Sequence, residues 1–118
     1  MKVTILVLEG PYNHQAADSA YQFTQSALSK GHEITGVFFY NDGVINANKL
    51  MDPPQDDRHI ANQWRDLGEK GIDIVTCIAA GKRRGLIEEN KSDNTRISGL
   101  GQLASMVQKS DRLITFGD

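Results

Sequence analysis

Apolar residues along this chain alternate between short solid runs and longer stretches of helical spacing. Val3 to Leu8 is almost entirely apolar. That is the pattern of a strand covered on both faces, as in a parallel sheet, rather than of one wetted on one side. After Gly10-Pro11, the residues Ala16, Ala20, Phe23 and Ala27 recur at helical spacing, and Lys30-Gly31 supplies a cationic last turn and a stop. The spacing predicts an amphipathic helix with these four residues inward. Ile34 to Tyr40 is β-branched and aromatic and runs into the turn sequence Asn41-Asp42-Gly43, which predicts a second strand. Val44 to Leu50 follows as a loop or short helix.

Met51 to Asp57 combines stiffening prolines with aspartates that suit a helix start, so a surface connection leads to a new helix. In it Ile60, Trp64 and Leu67 share one face, and Gly71 ends it. Ile72 to Ile78 reads as a third strand. Beyond the polar stretch Glu88 to Asn94, a weak strand at Thr95 to Ser98 leads through Gly99 and Gly101 to a helix with Leu103, Met106 and Val107 inward. Arg112 to Phe116 is a final strand. Strand and helix thus alternate, the signature of a single three-layer α/β/α sandwich with a mainly parallel sheet, one domain spanning residues 1–118. In such sheets sites lie at the carboxyl ends of strands.

Composition narrows the function classes. The 118 residues, 39% hydrophobic, suffice for one domain with a core and not for two. A formal net charge of -2 gives no global attraction to nucleic acid, so no direct nucleic-acid binding is expected. The first residues enter an apolar strand without a charged leader, and no apolar run approaches the roughly 20 residues of a membrane span. A cytoplasmic protein without membrane contact is expected. There is no internal repeat, low-complexity tract or linker.

Cys77 is the only cysteine. It excludes an internal disulfide, a CxxC redox pair and a thiolate zinc cluster. It closes the third apolar run and is followed by Ala79-Ala80-Gly81-Lys82-Arg83-Arg84-Gly85. A thiol at a strand end, beside Lys82, Arg83 and Arg84 and a possible helix start, is placed where the nucleophilic thiolate is favoured. Such a thiolate can take up a sulfur atom as a persulfide and hand it on, and no metal or cofactor is needed. The competing reading is an inert core cysteine, since free cysteine is among the most buried residue types. The cations likewise compete with a plain solvated surface.

Other residues carry weaker signals. His14, in the first strand-to-helix loop, suits a proton shuttle or a structural role. His32 and His59 flank a helix end and a helix start, where capping or dipole roles outrank metal binding, and no metal site is expected. Phe38, Phe39 and Tyr40 alternate across a strand and cannot form one stacking platform for bases. Trp64 suits the core. Asn46 to Asn48 can line a site or meet a neighbouring subunit. The loop from Glu9 to His14 holds neither GxGxxG nor GKS/T, which disfavours a nucleotide-binding module.

The blocks Gly10-Pro11-Tyr12, Val37 to Asn48 (VFFYNDGVINAN), Cys77 to Gly85 (CIAAGKRRG) and Ser98 to Gly101 together resemble the DsrE-like sulfurtransferase subunits, most nearly the TusD group. The resemblance runs in order along essentially the whole chain. It implies the α/β/α fold, Cys77 as the sulfur-carrying residue, and Lys82, Arg83 and Arg84 as residues that tune the thiolate or dock a carrier. It also implies a heterohexamer with TusB-like and TusC-like subunits, a TusA-like sulfur donor, and a TusE/DsrC-like acceptor. The pathway implied is 2-thiolation of the tRNA wobble uridine, with a DsrE-type role in dissimilatory sulfur oxidation, or a silent structural subunit, as alternatives. Asn13-His14 and the polar stretch between Arg84 and Ser98 depart from the family pattern.

Overall fold

The computed structural model describes residues 1–118. Five strands, β1 (Lys2–Val7), β2 (Glu33–Phe39), β3 (Ile74–Cys77), β4 (Arg96–Ser98) and β5 (Arg112–Phe116), form one sheet in the order β4-β3-β2-β1-β5. Every pairing is parallel. The helices are α1 (Ala16–Ser29), α2 (Ile60–Glu69), α3 (Ile78–Arg83) and α4 (Leu100–Gln108). Two 3₁₀ turns, Asn41–Ala47 and Glu88–Asn90, complete the order.

Strand alternation sorts the side chains between two layers. Thr4 and Gly36, paired in register, face α4: the Thr4 hydroxyl donates to the Met106 carbonyl, and a Cβ on Gly36 would touch the Met106 side chain. Phe39 and Phe116 face the other way, against Trp64 of α2 and Phe23 of α1. The sheet is therefore sandwiched, with α1 and α2 on one side and α4 on the other. Ile5, Val7, Val37, Phe38, Phe39, Val75 and Trp64 are fully buried at its centre, as the solid apolar runs require.

Several boundaries differ from the expectations, each for a local reason. The third strand is shorter than Ile72–Ile78, because the chain turns into α3 immediately after Cys77. Val44 to Leu50 is mostly 3₁₀. The cap of α2 is His59, whose Nδ1 accepts from the Asn62 N–H at 3.2 Å, while Asp57 accepts only from its neighbour Arg58. Phe23 is on the sheet-facing side but 36% exposed, because α1 overhangs the edge strand β5 there. Gly101 lies inside α4 rather than before it.

Candidate functional site

Strands β1, β2, β3 and β4 follow one another across the sheet, and the chain then returns to the far edge for β5. Right-handed crossovers place the connections after β1, β2 and β3 on one face and the connection after β4 on the other. The connections therefore part between β3 and β4, and the crevice of an open α/β sheet opens at the carboxyl ends of those two strands. Cys77 is the last residue of β3 and pairs with Ser98, the last residue of β4. The sole thiol stands in that crevice.

Cys77 keeps an extended backbone (φ -63°, ψ 126°) and is the residue from which α3 starts. The first turn of a helix leaves its N–H groups without intrahelical acceptors, and the Cys77 side chain stands at that end without using any of them. The side chain is 3% exposed and belongs to the core cluster. The next two residues, Ile78 and Ala79, are exposed, Ile78 by 44%. A freely reachable thiol was the expectation; in the chain by itself Cys77 is buried in the core.

The three cations do not converge on it. Arg84 Nε–H donates to Asp42 Oδ1 at 2.7 Å and Nη1–H to the Ala80 carbonyl at 3.1 Å, so this guanidinium is engaged across to the 3₁₀ turn after β2. Lys82 and Arg83 are exposed, and neither forms a salt bridge or a side-chain hydrogen bond. Lys82 borders a groove of about 310 Å³ whose apolar lining is Ile78, Leu86, Ile87 and Ile97 and whose far wall carries Glu88 and Glu89. The groove begins one residue past the thiol, a detail that no spacing in the sequence announces.

The turn that Arg84 reaches is anchored. A Cβ on Gly43 would lie 2.1 Å from the Val7 carbonyl oxygen, and Asn46, fully buried, donates through Nδ2 to the carbonyls of Glu9 and Gly43. Asn46 is thus an internal brace, neither at the mouth of the crevice nor on a subunit surface. Asn48 is half-buried and accepts from the Leu50 N–H.

His14 lies elsewhere. Its Nε2 is 3.5 Å from Glu9 and its Nδ1 is 2.5 Å from Asp118, over the carboxyl ends of β1 and β5. That is two strand spacings, about 10 Å, from Cys77, too far for direct proton transfer. Glu9, His14 and Asp118 each present one ligand-type atom within 4.8 Å of the others, a cluster missed in the sequence because Asp118 is distant along the chain. In the same loop Tyr12 adopts φ 73°, and its hydroxyl donates to the Arg58 carbonyl and accepts from the Ile60 N–H, tying the loop to the start of α2. His32 accepts from the terminal amine. No helix is long and apolar enough to cross a membrane.

A parallel α/β sheet with one thiol at its switch point defines a class of thiol-bearing α/β proteins rather than a nucleotide or metal enzyme of known motif. The sequence profile of the DsrE/DsrF-like family matches residues 1–116, and the chain belongs to that family. It is 53% identical to a DsrE protein of Allochromatium vinosum named for sulfurtransferase activity, over all of both chains. It is 42% identical to the sulfurtransferase TusD of Serratia proteamaculans, over 94% of this chain and 96% of the relative. Among solved structures, the ychN protein of E. coli superposes with a TM-score of 0.89 at 18% identity, over 98% of this chain and 99% of that one. That likeness speaks to the fold.

Proposed function

We propose that this chain is a sulfurtransferase subunit that carries one sulfur atom transiently as a persulfide on Cys77. The observation that carries the proposal is the position of the lone thiol, at the end of β3 in the crevice between β3 and β4. The names of relatives aligned along the whole chain support it. In the loading step the Cys77 thiolate attacks the outer sulfur of a donor persulfide. The Cys77 S–S bond forms as the donor S–S bond breaks, the donor leaves as a thiolate, and the persulfide proton passes to that more basic leaving group. In unloading, an acceptor thiolate attacks the outer sulfur and Cys77 leaves as a thiolate. Each step exchanges one S–S bond for another, so no external oxidant or reductant is consumed.

The donor is a TusA-like carrier and the acceptor a TusE/DsrC-like one, meeting the chain in the cytoplasm within a complex of TusB-like and TusC-like subunits. Lys82 and Arg83, exposed and unpaired near the crevice, are positioned to meet a carrier. Delivery toward wobble-uridine 2-thiolation in tRNA is one destination. A DsrE-type role in sulfur oxidation is a second reading, favoured by the 53% identity to the DsrE protein against 42% to TusD.

The test is intact-protein mass after incubation with a loaded donor. The native chain gains the mass of one sulfur atom and Cys77→Ser gains none. No gain on the native chain in its complex means a silent scaffold.

A further inference from the structure

We propose that Glu9 and His14, with Asp118 behind the ring, form a binding site for one zinc-type divalent cation at the carboxyl ends of β1 and β5. The sulfur-transfer reading plays no part in it. The site follows from the parallel pairing of the two strands. Val7 and Phe116 are in register, and the Leu8 N–H donates to the Phe116 carbonyl at 2.9 Å. Two residues further along each strand come Glu9 and Asp118, so the fold sets two carboxylates side by side, an unfavourable arrangement without a cation. No lysine or arginine pairs with either carboxylate; Arg58, in the neighbouring pocket, is engaged by Asp18. His14 pairs with both, and the trio is net negative whether the ring is protonated or neutral.

The distances fit a metal better than a proton. His14 Nε2 is 3.5 Å from Glu9 Oε2, longer than the roughly 2.7–3.2 Å of a hydrogen bond. Two ligands bound at about 2.0–2.1 Å to a tetrahedral zinc lie about 3.4 Å apart. The other ring nitrogen, Nδ1, is 2.5 Å from Asp118 Oδ2. A carboxylate there holds the ring proton on Nδ1 and leaves the Nε2 lone pair for the ion, an arrangement that metal-bound histidines commonly use. The donors are held in place beforehand. Glu9 is 20% exposed and its carbonyl accepts from the buried Asn46. Tyr12 ties the loop that carries His14 to the start of α2, and Gly117 packs on Leu8. His14 also borders a polar pocket of about 350 Å³, which gives water access to the remaining coordination positions. One imidazole nitrogen beside a carboxylate oxygen suits zinc rather than magnesium or calcium, which take oxygen ligands.

The test is calorimetric titration of the native chain with zinc chloride at neutral pH, in a buffer that does not bind the metal. One ion binds per chain. Glu9→Gln and His14→Gln each weaken binding by about tenfold or more, and Asp118→Asn by about tenfold, as for loss of a group that orients a ligand. Cys77→Ser binds as the native chain does. All three groups stand at or near the surface, so the variants keep the native fold, checked by their unfolding midpoints in urea. A readout independent of affinity is the side-chain nitrogen spectrum of His14: zinc leaves the proton on Nδ1 and shifts the Nε2 resonance. The proposal is overturned if zinc does not saturate at one ion per chain, if binding survives Glu9→Gln or His14→Gln, or if it is lost with Cys77. An Nε2 resonance that zinc leaves unmoved overturns it as well.

Discussion

Two residues, Thr76 next to the thiol and Gly43 in the turn after β2, show how closely the fold is fitted. Thr76 is fully buried between Val75 and Cys77, and its hydroxyl has no hydrogen-bond partner. A buried hydroxyl that loses water without a new partner costs stability, so Thr76→Val is expected to raise stability by up to about 1 kcal/mol, read as a higher midpoint in urea. A loss of stability would mean that the hydroxyl is satisfied. Gly43 is the reverse case: the only room for a methyl group is occupied by the Val7 carbonyl oxygen, 2.1 Å away. Backbone rather than a flexible side chain would have to move, so Gly43→Ala should cost about 2 kcal/mol or more and loosen the turn against which Arg84 is held. An unchanged midpoint would contradict that wedge. Neither residue announced its role in the sequence. Gly43 read as an ordinary turn glycine, whereas the close contact that demands it comes from a strand far back along the chain.

At the scale of elements, the apolar runs and helical spacings located all five strands and the helices α1, α2 and α4, because solid runs and periodic stripes are local consequences of burial in a sandwich. What escaped was decided by long-range contacts. The start of α3 right after Cys77 has no strong capping residue, and Asn46 became an internal brace only because the 3₁₀ turn folds back onto the end of β1. The edge strand β4 is the weakest element, with three residues. Arg96 holds it through a two-pronged pair with Asp73, Nε–H and Nη2–H donating at 2.8 Å to the two carboxylate oxygens. That hydrogen bond, foremost, raises the Arg96 pKa above its ordinary value, so the guanidinium stays charged at every working pH. Exposed pairs contribute little overall. Arg96→Ala should cost less than about 1 kcal/mol globally while speeding hydrogen exchange at the amides of β3 and β4. Unaltered exchange there would show that the pair does not secure the strand.

At the scale of the molecule, topology turns one cysteine into a candidate centre. The order β4-β3-β2-β1-β5 makes the gap between β3 and β4 the place where the connections part, and the chain puts its single thiol at that gap. Cys77 itself and the cations after it were legible from the sequence. Their relation was not: Arg84 is committed to Asp42, while Lys82 and Arg83 remain free on the surface. The fold also separates His14 from the thiol by two strands, which removes the histidine as a direct proton partner for Cys77 and leaves the exchange chemistry to the sulfurs themselves.

The most direct measurement is the intact mass of the native chain, alone and together with the proposed TusB-like and TusC-like subunits, after exposure to a persulfide-loaded carrier and removal of excess donor. The account predicts a gain of one sulfur atom, lost again on adding an acceptor thiol and absent in Cys77→Ser. A native chain that stays at its original mass, while the donor remains loaded and competent toward another thiol, would contradict the account.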